Sequence, residues 1–253
     1  MLNVSGYLFV ALDDTLALRE RLLTSASAAA LKGTVLLAEE GINLVLAGAA
    51  QSVRQWLDVL RSDPRLAPLR VKESFSRALP FRYLRVKVKP EIIRMNQSTV
   101  RPHSGRAPTV DSTTLARWLR AGQCDAGRPL ALLDTRNAFE VDAGRFEGAI
   151  DWRLGKFSEF PAALAAHQHE LAGKTVVSYC TGGIRCEKAA LWMAQAGVEH
   201  GVQLDGGILR YLEDTAAEHA PGWQGDCVVF DERVALNPAL AASTEVAVEG
   251  ALP

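Results

Sequence analysis

TVVSYCTGGIRCEKAA, residues 175–190, joins an uncharged, β-prone run to a cysteine, a glycine pair, an arginine, a second cysteine and the start of a helical segment. The run ends at Tyr179, and the helix that follows closes near Gly197. PLALLD (129–134) is a second near-continuous apolar run, and VQL (202–204) leads into Asp205-Gly206-Gly207. Helix signals come first, with Asp111 or Ser112 as N-cap and Leu115, Trp118 and Leu119 behind it. Apolar strands alternating with helices predict a parallel sheet covered on both faces, over about 110–222. Such sheets place reactive groups beyond the carboxyl ends of their strands, and Cys180 stands at one of those ends.

A strand, a tight loop and a helix start predict a cradle of backbone N–H groups around Cys180. Thr181-Gly182-Gly183-Ile184-Arg185 curls so that its amides face inward, and the helix adds its positive end. Gly182 and Gly183 allow conformations that a β-carbon obstructs. Arg185 adds a full positive charge. Together these lower a thiol's pKa and make it nucleophilic, and they suit an anionic persulfide equally well. A buried inert cysteine needs neither the glycines nor the arginine. A Cys-x5-Arg phosphatase loop is the rival, but the spacing here is Cys-x4-Arg and Tyr179 precedes the cysteine. For Cys186, in the first helical turn, two readings stand: a resolving thiol for an oxidised or persulfidated Cys180, or a small packing residue.

Cys124 and Cys227 receive no role. Four scattered cysteines make no disulfide framework, and without a CxxC pair no structural zinc is expected, so a reducing cytoplasm fits. The five histidines are dispersed, with no two-histidine-one-carboxylate spacing, and no metal site is predicted. No glycine fingerprint for a flavin is present, and no cofactor is evident. No apolar run reaches eighteen residues, which predicts no membrane span, and MLNVSGYLFVALDD reads as a first strand rather than a signal peptide.

The first ninety residues read as strand, helix, strand, strand, helix, strand. GYLFVAL (6–12) is the first strand, and Thr15–Leu31 is a helix closed by Gly33. TVLLAEEGINLVLAG (34–48) is a hairpin around Glu39-Glu40-Gly41. Val53, Trp56, Leu57 and Leu60 form one apolar stripe on the next helix. LRVKESF and YLRVKVKP alternate as strands do, with basic residues outward. βαββαβ over 1–91 is the split, ferredoxin-like arrangement, α+β in class, ahead of the α/β second half. Two prolines, a glycine and small polar residues mark 92–109 as a linker.

The net charge of −1 conceals a division. Residues 1–106 carry +7 and residues 107–253 carry −8, while Arg65–Arg106 alone carry +9. This asymmetry points to an anionic partner for the first half. Arg70, Lys72, Arg77, Arg82, Arg85, Lys87 and Lys89 are the candidate contacts to a phosphate backbone. Phe81 and Tyr83 lie among them, with two readings: partly core, which comes first, or stacking on bases.

LLDTRNAFEVDAGRFEGAI (132–150), YCTGGIRCEKAA (179–190) and QLDGGILRYLE (203–213) together resemble a rhodanese homology domain. The resemblance implies that Cys180 is the persulfide-forming cysteine, with Asp134, Arg136 and Glu140 as an internal ion pair. GTVLLAEEGINLVLAG, CTGGIRCEKA and WQGDCVVFDERVAL (223–236) occur together in the rhodanese-related bacterial family of oxygen-dependent tRNA uridine(34) hydroxylases, which the chain resembles over about residues 4–237. That resemblance implies an acylphosphatase-like first domain and a 223–237 segment packed on the domains. It also implies hydroxylation of the wobble uridine to 5-hydroxyuridine, with molecular oxygen as co-substrate, the tRNA anticodon stem-loop as partner and Cys180 as the essential cysteine. Longer members carry a cysteine-rich extension after FDERV, whereas residues 238–253 here are an alanine-rich tail, expected to be flexible. The chemistry alone points equally to a sulfurtransferase fed by thiosulfate or another sulfane-sulfur donor. Oligomeric state is not legible, and a non-catalytic module is the weakest reading while Cys180 is present.

Overall fold

The computed structural model describes residues 1–243; residues 244–253 of the expected tail lie outside them. Internal contacts divide the chain into two compact units, Met1–Arg94 with Arg101–Ser104, and Met95–Val100 with Gly105 onward. The stretch predicted as one linker is thus shared out: 95–100 belong to the second unit and 101–104 to the first.

The first unit contains β1 (Leu2–Phe9), α1 (Thr15–Ala28), β2 (Lys32–Ala38), β3 (Gly41–Gly48), α2 (Ala50–Arg61), β4 (Val71–Phe75) and β5 (Leu84–Val88). Its sheet runs β4-β1-β3-β2-β5. The first four strands form the predicted ferredoxin-like, acylphosphatase-like sheet, and β5 is an addition that runs parallel to β2. LRVKESF and YLRVKVKP therefore occupy opposite edges. Leu18 and Leu22 of α1, and Val53, Trp56, Leu57 and Leu60 of α2, share a core with Val4, Val35, Leu44 and Leu46. Side chains alternate across a strand, so the row Lys72, Ser5, Val45, Thr34, Arg85 lies on the face opposite that core.

Two local details differ from the sequence reading. β1 begins and ends earlier than predicted, at Leu2–Phe9. Helix α1 stops at Ala28, because Ala30 takes a left-handed φ of 54° and the Leu31 N–H turns back to the Ala26 carbonyl at 3.0 Å. That is a Schellman closure made with alanine instead of glycine, and it buries Leu31. Gly41 behaves as predicted: its φ is 149°, and a β-carbon there lies 2.1 Å from the Leu8 carbonyl oxygen.

The second unit contains β6 (Thr109–Val110), α3 (Ser112–Ala121), β7 (Leu130–Asp134), α4 (Ala138–Ala143), β8 (Gly144–Phe146), β9 (Ile150–Asp151), α5 (Phe160–His167), β10 (Thr175–Tyr179), α6 (Ile184–Gln195), β11 (Gly201–Leu204), α7 (Gly207–Asp214), β12 (Trp223–Gly225), β13 (Cys227–Val228) and β14 (Ala235–Leu236). Its main sheet is parallel, in the order β6-β11-β10-β7-β9. Helix α3 is capped by Asp111, which accepts the Thr114 N–H at 2.8 Å. All five residues of β10 are buried, as expected of a central strand covered on both faces.

The 223–236 stretch is built into this unit. β12 pairs with β8, and Trp223 meets Phe146 edge to face at 5.2 Å. Phe146 makes the same contact with Tyr179 and Tyr211, each at 4.9 Å. Each such pair adds about 0.5–1.5 kcal/mol beyond its burial. At the start of the predicted flexible tail, residues 238–243 close a hydrogen-bonded turn instead. Asn237 Oδ1 accepts the Ala239 and Ala241 N–H groups at 3.0 and 3.1 Å, and Ser243 N–H donates to the Ala235 carbonyl at 2.9 Å.

Candidate active site

Cys180 follows the last residue of β10, at the carboxyl edge of the parallel sheet. The Gly183 N–H donates to its Sγ at 3.1 Å. Gly183 has a φ of 104°, the left-handed setting that lets the chain turn its amide back toward the sulfur and enter α6 directly. Gly182 has no such duty. A β-carbon there meets nothing within 4 Å, so the sequence argument from a glycine pair holds for Gly183 alone. Thr181, Gly182 and Ile184 are half-buried, while Gly183 and Arg185 are buried. Cys180 has 0 % exposure.

The second glycine of the cradle comes from another element. Gly207, at the start of α7, has a φ of 65°, and a β-carbon there lies 2.4 Å from the Cys180 carbonyl oxygen and 2.8 Å from the Gly183 nitrogen. The next two amides of α7 finish the junction: Ile208 N–H donates to the Cys180 carbonyl at 2.9 Å and Leu209 N–H to the Thr181 carbonyl at 3.1 Å. The Cys180 loop therefore leans on the N-terminus of α7. The signal was present as Asp205-Gly206-Gly207 directly after a short strand, but sequence reasoning gave those glycines no role.

Arg185 is held differently from the expectation. Its Nη1 and Nη2 donate to the two oxygens of Glu140 at 2.6 and 2.7 Å. Glu140 is fully buried; it also accepts the Asn137 N–H at 3.0 Å and the Thr181 hydroxyl at 3.3 Å. The predicted Asp134, Arg136 and Glu140 cluster thus resolves into two pairs. Arg136 chelates Asp134, with Nη2 to Oδ2 at 2.7 Å, and spends its remaining donors on the carbonyls of Glu140 and Gly144 at 3.2 and 2.6 Å. Glu140 leaves the scaffold pair to bind the arginine of the loop. Burial raises the Glu140 carboxyl, and the Arg185 charge and hydrogen bonds more than offset this, so its pKa is lowered.

The thiols separate in the same way. Burial pushes Cys180 up, but the Cys186 thiol as donor, the Arg185 charge and the N–H groups of Cys186 and Arg185 outweigh it and bring it down to about 5. Cys186, also fully buried, is pushed well up by burial and by the neighbouring Cys180 anion. Its Sγ lies 3.5 Å from Thr135 Oγ1, whose own proton goes to the Tyr179 carbonyl at 3.0 Å. Cys180 is thus the thiolate and Cys186 keeps its proton. A buried sulfur anion held by amides can attack an electron-poor carbon or a sulfane sulfur.

The candidate phosphate contacts fall into two groups. Arg70 and Arg77 are exposed and Lys72 half-buried around β4; Arg82, Arg85, Lys87 and Lys89 are exposed around β5, four strand spacings away, about 19 Å. Tyr83 is not core: it is 66 % exposed, with the Arg85 guanidinium 5.9 Å from its ring centre. Phe81 is half-buried. Arg106 donates to Glu187 at 3.0 Å. Among the described residues no group of three or more His, Cys, Asp or Glu is placed to hold a metal ion, and no helix is long and apolar enough to cross a membrane.

Comparison with known proteins matches this architecture. A family profile described as the UPF0176 acylphosphatase like domain covers residues 1–92, and one described as Rhodanese-like domain covers residues 115–214. The tRNA uridine(34) hydroxylase of Bordetella petrii is 60 % identical over 247 residues, 98 % of this chain and 97 % of that protein. The protein of the same name from Variovorax paradoxus is 57 % identical over 242 residues, 96 % of this chain and 91 % of that one. Among solved structures, a human single-domain sulfurtransferase is 27 % identical with a TM-score of 0.35, over 42 % of this chain and 96 % of that one. On the full-length identities, this chain belongs to the tRNA uridine(34) hydroxylase family.

Proposed function

We propose that this chain is an enzyme that hydroxylates uridine 34 of tRNA at C5, using molecular oxygen, with Cys180 as its nucleophile. The observation that carries the residue assignment is the 3.1 Å hydrogen bond from the Gly183 N–H to the Cys180 sulfur, within a loop that lowers that thiol's pKa. The Cys180 thiolate adds to C6 of the uracil, and the electron pair of the C5–C6 double bond moves to C5. C5 then bonds to oxygen, giving a C5 peroxide that takes up a proton. A two-electron reductant of the thiol class cleaves the O–O bond, leaving hydroxyl on C5 and releasing water. Loss of the C5 proton expels the thiolate from C6 and restores the double bond.

The anticodon stem-loop is the bound part of the tRNA, because bases in a single-stranded loop are open to attack while paired bases are not. The exposed cations Arg70, Arg77, Arg82, Arg85, Lys87 and Lys89, with Lys72, contact its phosphates. The enzyme works in the cytoplasm, where its four cysteines, none of them in a disulfide, stay reduced.

Sulfur transfer is the second reading, favoured by the small Cys-x4-Arg cradle. There the thiolate attacks the sulfane sulfur of thiosulfate, the S–S bond breaks, sulfite leaves with the electron pair and Cys180 becomes a persulfide. Complementation of a strain lacking 5-hydroxyuridine separates the two. Wild-type chain restores the nucleoside and Cys180→Ser does not; thiosulfate:cyanide activity without any 5-hydroxyuridine favours the second reading.

A further inference from the structure

The hairpin β13–β14 touches the cradle without belonging to it. Thr181, the residue after Cys180, places its hydroxyl 3.5 Å from the Val228 carbonyl oxygen. Val228 pairs with Ala235, and Val229 N–H donates to the Val234 carbonyl at 2.9 Å, which leaves Phe230–Arg233 as the turn. The turn is locked from within. Asp231, 2 % exposed, accepts from Arg233 N and Nε at 2.9 and 2.8 Å, and its carbonyl accepts the Val234 N–H at 3.0 Å. Val234 sits at a φ of 63°, a left-handed setting that a β-branched residue seldom adopts. Backbone held in such settings clusters at ligand clamps.

This rigid turn presents a phenyl ring to water. Val228, Val229, Ala235 and Leu236 are buried and supply the packing of the hairpin, while Phe230 is 41 % exposed. It lies two residues from the carbonyl that meets Thr181, about 7 Å of extended chain. Phe230 is thus carried by the same hairpin whose Val228 carbonyl meets Thr181, and its chemistry is that of a flat, apolar, π-bearing face. Bases of a single-stranded RNA loop are recognised by just such faces.

We infer that Phe230 is a stacking residue for a nucleobase of the RNA loop, a positioning residue that holds the loop at the mouth while Cys180 does the chemistry. The inference rests on the proposed action on the tRNA anticodon loop. Loss of one aromatic–base stack weakens binding roughly 5- to 150-fold.

The test is the affinity of an anticodon stem-loop carrying an unmodified uridine 34 for the full chain, measured by fluorescence anisotropy for wild type, Phe230→Ala, Phe230→Leu and Phe230→Trp, alongside 5-hydroxyuridine formation. Alanine and leucine weaken binding by such a factor, tryptophan restores it, and the ionisation of Cys180 is unmoved. A purely structural role predicts rescue by leucine, and that result overturns the inference, as does unchanged affinity in Phe230→Ala. If wild type hydroxylates while Phe230→Ala binds normally, the stacking fails alone. If Phe230→Ala weakens binding but wild type yields no 5-hydroxyuridine, the hydroxylase reading fails alone. Absence of binding by wild type removes both.

Discussion

Arg185 turns its guanidinium onto Glu140, with both Nη atoms on the carboxylate at 2.6 and 2.7 Å, so the loop's arginine is already neutralised when the Cys180 thiolate forms. The arginine therefore does two things: it fixes the loop to α4 through Glu140, and it lends only part of its charge to the sulfur. The remaining stabilisation comes from N–H donors and from the Cys186 thiol. An anion stabilised mainly by hydrogen bonds depends on the shape of the loop that supplies them.

Glu140→Gln leaves the buried Arg185 charge without its counterion. Breaking a buried pair from one side costs about 3–5 kcal/mol. Denaturant unfolding of Glu140→Gln, Arg185→Met and the double variant should show the double variant less destabilised than the sum of the two. Strict additivity contradicts the pairing.

Gly207→Ala must place a β-carbon 2.4 Å from the Cys180 carbonyl oxygen, against backbone that cannot yield. The variant should lose at least about 1–3 kcal/mol from its left-handed φ alone, and most of its kcat. Gly182→Ala, entering open space, should keep both stability and kcat near wild type. Equal losses in the two would show that the loop does not lean on α7 as described.

Cys186→Ser and Cys186→Ala separate the resolving-thiol and packing readings of that residue from the donor role seen at Cys180. As a proton-holding donor to Cys180, it is replaceable by serine, while alanine raises the Cys180 pKa by about one unit or more, the worth of a hydrogen bond to a charged group. A resolving thiol fails in both variants. Hydroxylation by Cys186→Ser at near the wild-type rate rules out the resolving thiol, and a raised Cys180 pKa in Cys186→Ala then decides for the donor over packing.

Charge reversal tests the proposed RNA surface one edge at a time. Reversing Arg82, Arg85 and Lys87 around β5 should weaken stem-loop binding and lower the slope of log affinity against log salt by about one for each phosphate no longer neutralised. The same is expected of Arg70, Lys72 and Arg77 around β4 for whichever of them touches phosphate. A set whose reversal changes neither quantity is not part of the binding surface.

Much of this was readable from residues 175–190. An uncharged run, a cysteine and a helix start at that spacing allow little but a strand end in a parallel sheet, and Cys180 stands there. What escaped was long-range. Glu140 is 45 residues from Arg185, and spacing along the chain cannot say which of two buried arginines a glutamate will choose. Gly207 drew no reading because its reason lies in the Cys180 carbonyl it must pass. The basic stretch read as one patch, yet β4 and β5 take opposite edges because each strand edge of the sheet offers one place. Tyr83 read as core since alternation is a poor guide next to a strand that joins late, at an edge.

The ionisation of Cys180 also sets a pH dependence of stability. Its pKa falls from 9.0 to about 5 on folding, so the folded state gains from the thiolate fully above about pH 9, and that gain is lost as pH falls through about 5. Wild type should therefore gain stability relative to Cys180→Ser across that window.

Thiolate absorbance in the ultraviolet, titrated for wild type and Cys180→Ser and taken as the difference, reads the central sulfur directly. A single ionisation with a midpoint near pH 5 is the predicted result. A difference curve that stays flat until the range of an ordinary cysteine, near pH 9, contradicts the account.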